Sequence, residues 1–163
     1  MPALADRTLA LFGSRAGGNA SFAWTSNVWY HIAYVVTPTS YKIYVNGVVT
    51  GKGTYPATNP ANWPLLYDAS HPLRIGDTGG GDPLMNGLID EVRIWSTART
   101  AAQIQANLGR PLLGNEPGLR GYWRFDNGGY LGPDPDSSGH GFEAIYLNGA
   151  HMDYPYPPLP FGL

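Results

Sequence analysis

The residues best placed to do chemistry lie in the stretch Asn86–Gln105, NGLIDEVRIWSTARTAAQIQ. Alternation predicts a strand running straight into a short helix. Leu88, Asp90, Val92 and Ile94 would share one side of that strand, and Ile89, Glu91, Arg93 and Trp95 the other. Glu91 and Arg93 then reach water, while Asp90 falls among aliphatic residues. A buried carboxylate is costly unless it is paired, hydrogen-bonded or metal-bound, so Asp90 is the first candidate for a special role. The second candidate is the loop from Lys52 to His71, which holds Tyr55, Trp63 and Tyr67 among Pro and Asn residues. Flat aromatic faces beside amides and carboxylates suit sugar recognition: the rings stack on apolar sugar faces while hydroxyls bond to the polar groups. A long loop also needs internal packing, and the plainer reading of the three rings is that they anchor it. The run Asp77–Asp82, DTGGGD, supplies oxygens for an ion or a sugar, or simply a flexible hairpin tip.

Catalysis finds little support in these residue types. Glycoside hydrolysis needs two carboxyl groups roughly 5–9 Å apart across the scissile bond. Asp90 and Glu91 are adjacent and face opposite sides of the expected strand. His31 sits within an apolar strand and reads as a packed histidine, and His71, His140 and His151 lie in loops without a spaced partner. Neither a serine nucleophile elbow nor a phosphate-binding glycine loop occurs. The expectation is a protein that is not an enzyme.

The elements that must position these residues are short strands. Arg7–Phe12 and Ala20–Thr25 alternate around a Gly-rich turn, and Trp29–Val36 is apolar on both faces, the mark of a central strand. Tyr41–Val45 and Val48–Thr50 flank Asn46-Gly47, a strong hairpin signal. Leu73–Gly76, the Asn86 block, Leu119–Phe125 and Phe142–Leu147 complete the expected strands. A helix is expected at Ala101–Leu108, with Thr100 and Gln103 at capping-box spacing and Gly109 and Pro111 as its stop. The tail Tyr154–Leu163, YPYPPLPFGL, can only be extended or polyproline-like. The fold class is therefore all-β, a two-sheet antiparallel sandwich with one short helix, in one domain spanning 1–163.

Composition agrees with that class and narrows the function. The 163 residues are 43% hydrophobic and only 13% charged, with 22 Gly and 15 Pro, as short strands joined by turns require. A net charge of -2 and the lack of any basic run argue against nucleic acid as a partner. The absence of Cys excludes disulfides and thiolate metal sites. No window is apolar enough to span a membrane, and Met1–Leu11 has neither the basic start nor the apolar centre of a signal peptide. Asn19-Ala20-Ser21 is a glycan acceptor only in a glycosylating host, and otherwise an ordinary loop.

The order WYHIAYVV, YKIYVNGVV, LRIGD and NGLIDEVRIWSTARTAAQIQANL resembles the laminin-G-like jelly roll of the concanavalin-A-like lectin and glucanase superfamily. The segments GLRGYWRFDNG and DSSGHGFEAIYLNGA resemble the part that usually opens the next copy of such a domain. Together the matches run from Trp29 to Ala150. The strands that normally begin the family's domain are not seen ahead of Arg7. The expected strand order is thus atypical: a circular permutant, a piece of a longer protein, or a sheet edge left for a neighbour to fill. The resemblance implies that Asp90, the acidic residue of the last-strand block, helps to bind a structural calcium. Asp126 in the WRFDNG turn is the best second carboxylate. The alternative is that Asp90 accepts backbone or indole N–H bonds and holds no metal.

Two functions follow from this reading. The leading one is a non-catalytic binding or adhesion module, extracellular or at the cell surface, that recognises a glycan or a protein. The competing one is a structural subunit that self-associates into a fibre, sheath or coat by exchanging edge strands or its Pro-rich tail.

Overall fold

The computed structural model describes residues 7–12, 17–54, 73–76, 85, 87–126, 133–147 and 149–150. The chain divides into two compact units, one formed by 1–85 with 100–108 and the other by 86–99 with 109–163. Every strand pair among the described residues is antiparallel, and the only helix among them is short. The protein is of the all-β sandwich class that the alternation predicts. No helix among the described residues is long and apolar enough to cross a membrane.

In the first unit, β1 (Arg7–Phe12) pairs with β2 (Gly17–Phe22). A meander follows, made of β3 (Ile32–Val36), β4 (Ser40–Val45) and β5 (Val48–Thr54), in the spatial order β3-β4-β5. The β3–β4 turn is closed by Thr37, whose N–H donates to Ser40 O at 2.8 Å and whose hydroxyl accepts from Ser40 N at 3.0 Å. Asn46 and Gly47 join β4 to β5 with φ of 48° and 75°, the doubly left-handed turn whose twist matches a two-residue hairpin. Ile43, Tyr44 and Val45 are all buried, so both faces of β4 are covered. The central place expected for Trp29–Val36 therefore falls to β4, and β3 starts only at Ile32. Facial apolarity reports what lies above and below a strand, and is silent on which strands flank it.

β5 is longer than its sequence advertised and takes in Lys52 and Gly53, residues expected in a loop. Thr50 is the extra residue of a bulge, because Tyr44 pairs with Val49 and Ile43 with Gly51. Gly53 makes room for its cross-strand partner: an added Cβ would lie 2.6 Å from the Tyr41 ring, which would have to shift. The helix α1 (Ala101–Ala106) begins with the predicted capping box, Gln103 N to Thr100 Oγ1 at 3.2 Å and Thr100 N to Gln103 Oε1 at 3.0 Å. It ends two residues before Leu108, as Asn107 N and Leu108 N turn to the carbonyls three residues back. The helix packs against the hairpin tip: Gln105 Nε2 donates to Gly47 O at 3.3 Å, and a Cβ on Gly47 would meet Gln105 and Leu108.

In the second unit, β6 (Val92–Trp95) pairs with β7 (Leu119–Trp123), and Arg120 is bulged out between the Ile94–Gly121 and Trp95–Leu119 pairs. Leu112, Leu119 and Tyr122 form its core, with Trp95 packed beside them. Other expected strands are shorter or absent, β7 itself ending at Trp123 and not at Phe125. The Asn86 strand starts at Val92, Leu73–Gly76 is a bend, and Phe142–Leu147 is reduced to one bridge between Asp134 and Ala144.

Candidate functional site

The late start of β6 has a local cause. Glu91 lies in the left-handed region with φ of 55°, which breaks the strand alternation between Asp90 and Val92. Leu88 and Ile94, the presumed buried neighbours of Asp90, are 45% and 39% exposed. Asp90 is half-buried instead of sealed among aliphatics, and its carboxylate accepts from Glu91 N at 2.8 Å. Burial pushes its pKa up to about 6; the main-chain bond opposes this, and the charges of Glu91 and Asp126 push the same way as burial.

Asp126 follows Phe125, itself at φ of 54°, and is exposed. Its charge acts on Asp90, so the two sequence-chosen carboxylates lie within electrostatic range of one another. Among the described residues no group of three or more His, Cys, Asp or Glu residues gathers as a metal centre. Two carboxylates are the right chemistry for calcium, but offer at most about four of its six to eight oxygens.

Glu91 and Arg93 were expected in water. They are instead only 15% and 11% exposed and paired with each other. Tyr122, directly across the ladder from Arg93, is fully buried. Its hydroxyl donates to the Glu91 carboxylate at 2.8 and 2.7 Å and accepts from Leu112 N at 3.0 Å. The guanidinium groups of Arg93 and Arg124 lie 5.4 and 5.2 Å from the centroid of the same ring. Arg93 also donates to Arg110 O, and Arg124 to Leu112 O. With both oxygens of Glu91 committed, its carboxylate serves the fold and is not available to a substrate. The only hint in sequence was the Glu-x-Arg spacing, which places opposite charges on one side of a strand.

The edge of β7 away from β6 is covered at Tyr122 by the chain's own segment 133–147. Tyr122 N donates to Asp136 Oδ1 at 2.9 Å, and Ser137 N donates to Tyr122 O at 2.7 Å. Asp136 organises that segment, accepting also from Ser138 N at 2.9 Å and Phe142 N at 3.3 Å. Burial alone would raise its pKa, but the hydrogen bonds from Ser138, Tyr122 and Phe142 outweigh it and hold the carboxyl below its ordinary value. Trp123 donates its indole N–H to Phe142 O, and its ring lies where a Gly121 side chain would be. Asp134 is buried and accepts from the Tyr146 hydroxyl. None of these carboxylates stood out in the sequence, because Asp-Pro-Asp-Ser-Ser-Gly reads as turn punctuation.

Tyr55, Trp63 and Tyr67 lie outside the described residues, as do Asp77–Asp82, His71, His151 and the tail Tyr154–Leu163. His31 precedes β3, and its main chain pairs with Asn46, whose Oδ1 accepts from His31 N at 2.9 Å. A second aromatic group went unnoticed in the sequence: Phe22, Trp24 and Tyr30, with ring centroids 4.8 to 5.4 Å apart. Tyr30 accepts from Thr25 N at 3.0 Å. The rings meet tilted or edge-on and brace the connection from β2 to β3.

With this geometry in view, the comparisons are specific. The laminin-G-type family model of the concanavalin A-like lectin/glucanases superfamily matches residues 8–105. A candidate carbohydrate-binding protein from Bacteroides ovatus is similar in structure, with a TM-score of 0.65 and 25% identity over 82% of this chain. This chain spans 38% of the length of that protein. An S-layer domain-containing protein from Clostridium thermocellum is more distant, with a TM-score of 0.35, 17% identity and 62% of each chain covered, and carries no functional weight. No curated protein matches the chain.

Proposed function

The chain belongs to the concanavalin A-like lectin/glucanases superfamily, and on that premise we propose that it is a non-catalytic carbohydrate-binding module acting outside the cell. The observation that carries the reading is the likeness to the Bacteroides ovatus protein, which extends over 82% of this chain. The local geometry supports binding without hydrolysis. Glu91, the carboxylate adjacent to Asp90, is held by Tyr122 and Arg93, so it is not poised as the second acid of a hydrolase. Asp90 and Asp126 are proposed as carboxylate ligands of a structural calcium, which would offset the burial, and the neighbouring carboxylate charge, that raise the Asp90 pKa. The test combines a glycan array with an assay for released reducing ends. Binding of a neutral glycan without hydrolysis is the expected result. An array with no bound glycan, or hydrolysis that depends on Asp90, overturns the reading.

A further inference from the structure

The loop from Asp136 to Phe142 combines rigidity with exposure. Its start is fixed by the Asp136 carboxylate, which gathers the N–H groups of Tyr122, Ser138 and Phe142. Its end is fixed by the indole N–H of Trp123, bonded to Phe142 O. Between these anchors, His140 is oriented by a 2.9 Å hydrogen bond between its Nδ1 and the Ser138 hydroxyl. The His140 and Phe142 rings lie parallel, 10° apart with centroids separated by 6.3 Å. His140 is exposed, and Phe142 is 57% exposed. Phe142 thus presents an aromatic face to its surroundings from a loop that is held at both ends.

The surroundings indicate what kind of partner. Gly139 and Gly141 flank His140, and a Cβ added to either would meet nothing within 4 Å, so the approach to the rings is open. The exposed Phe142 ring, with the His140 ring stacked parallel to it, offers an aromatic face to the C–H face of a pyranose. The Ser138 hydroxyl, His140 Nε2 and the glycine main chain are polar groups at its border, suited to sugar hydroxyls. Asp136 and Glu143 bracket the rings along the chain, so an anionic sugar would meet like charge. We propose that this loop is a saccharide platform, on which His140 and Phe142 take the apolar face of a neutral hexopyranose. The proposal rests on the carbohydrate-binding reading above and assigns it a site. Because hydrogen bonds hold the loop at both ends, binding costs little conformational entropy.

The test is calorimetric titration of the full chain with cellohexaose, laminarihexaose and mannohexaose, and with hexagalacturonate as the charged control. At least one neutral hexasaccharide should bind. Phe142→Ala and His140→Ala should each weaken it about tenfold, while Phe142→Trp should retain it. Both alanine variants alter exposed side chains, so their melting temperatures should match the wild type. Undiminished affinity in both alanine variants would overturn the platform and leave the carbohydrate-binding reading standing. Hexagalacturonate binding as tightly as the neutral sugars would overturn the assigned sugar class. Failure of every hexasaccharide to bind the wild type would sink both ideas together.

Discussion

The Tyr122 hydroxyl donates to the Glu91 carboxylate, 2.8 and 2.7 Å from its two oxygens, from a side chain with no solvent exposure. Glu91 takes a positive φ just before β6, and its carboxylate also pairs with Arg93, the ladder partner of Tyr122. A hydrogen bond to a charged acceptor contributes more than a neutral one, and leaving a buried donor unmatched adds a further penalty. Tyr122→Phe removes the donor to Glu91 and also the acceptor for Leu112 N. The expected loss is about 3 kcal/mol in denaturant unfolding. A midpoint unchanged from wild type would show that the hydroxyl contributes nothing to the second unit.

Gly114 and Gly139 make a paired prediction. Both have positive φ, 98° and 77°. A Cβ on Gly114 would lie 2.0 Å from the Ser137 carbonyl oxygen, a backbone atom that cannot swing aside. A Cβ on Gly139 would meet nothing. Gly139→Ala should therefore cost only the left-handed strain, about 1–2 kcal/mol. Gly114→Ala should cost markedly more, because the segment that covers β7 must move. Thermal melts of the two variants side by side check this, and equal losses would contradict the contact between the 112–118 and 133–138 segments.

How much of this was legible in the sequence follows from which forces are local. The Asn46-Gly47 hairpin and the Thr100 capping box are closed by residues at most three apart, and both stand where they were read. The all-β class followed from alternation and turn residues, which sum many weak local preferences. The strand expected from Asn86 starts late because Glu91 takes a positive φ, and the side shared by Glu91 and Arg93, expected in water, is largely buried. Alternation assumes an unbroken pleat and carries no warning of such a residue. Asp136 was invisible for a different reason: its partners Tyr122 and Phe142 lie 14 and 6 residues away, so only the assembled chain shows three donors converging. Asp90 was singled out by its type among aliphatic residues and Asp126 by the family resemblance, and the charge of Asp126 acts on Asp90.

Asp136 predicts an acid limb. Its pKa is lower in the folded protein than its ordinary value, so it contributes stability that is fully present above about pH 4 and lost as pH falls through the folded value. Asp136→Asn removes the charge and its titration, so the stability difference between wild type and variant should shrink below about pH 4. Urea unfolding from pH 3 to pH 7 measures the difference. A difference constant across that range would mean that the carboxylate acts without its charge.

Asp90 predicts the opposite slope. Its folded pKa is raised to about 6, so between about pH 4 and pH 6 the folded state holds a proton that the unfolded chain releases. Stability therefore falls as pH rises through that window, and the cost of the ionised group is complete above it. Because the side chain is half-exposed, solvent screening limits that cost to about 1 kcal/mol. Asp90→Asn keeps an oxygen for Glu91 N and loses the charge, so it should be more stable than wild type at pH 7.5 and equal to it at pH 4. If Asp90 and Asp126 hold calcium, millimolar calcium chloride should raise the wild-type melting temperature at pH 7.5, where Asp90 is ionised. It should do so far less at pH 5, where Asp90 keeps its proton, and not at all in Asp90→Asn. A wild-type melt unmoved by calcium or by chelator at pH 7.5 would leave Asp90 as a carboxylate held by its own backbone bond alone.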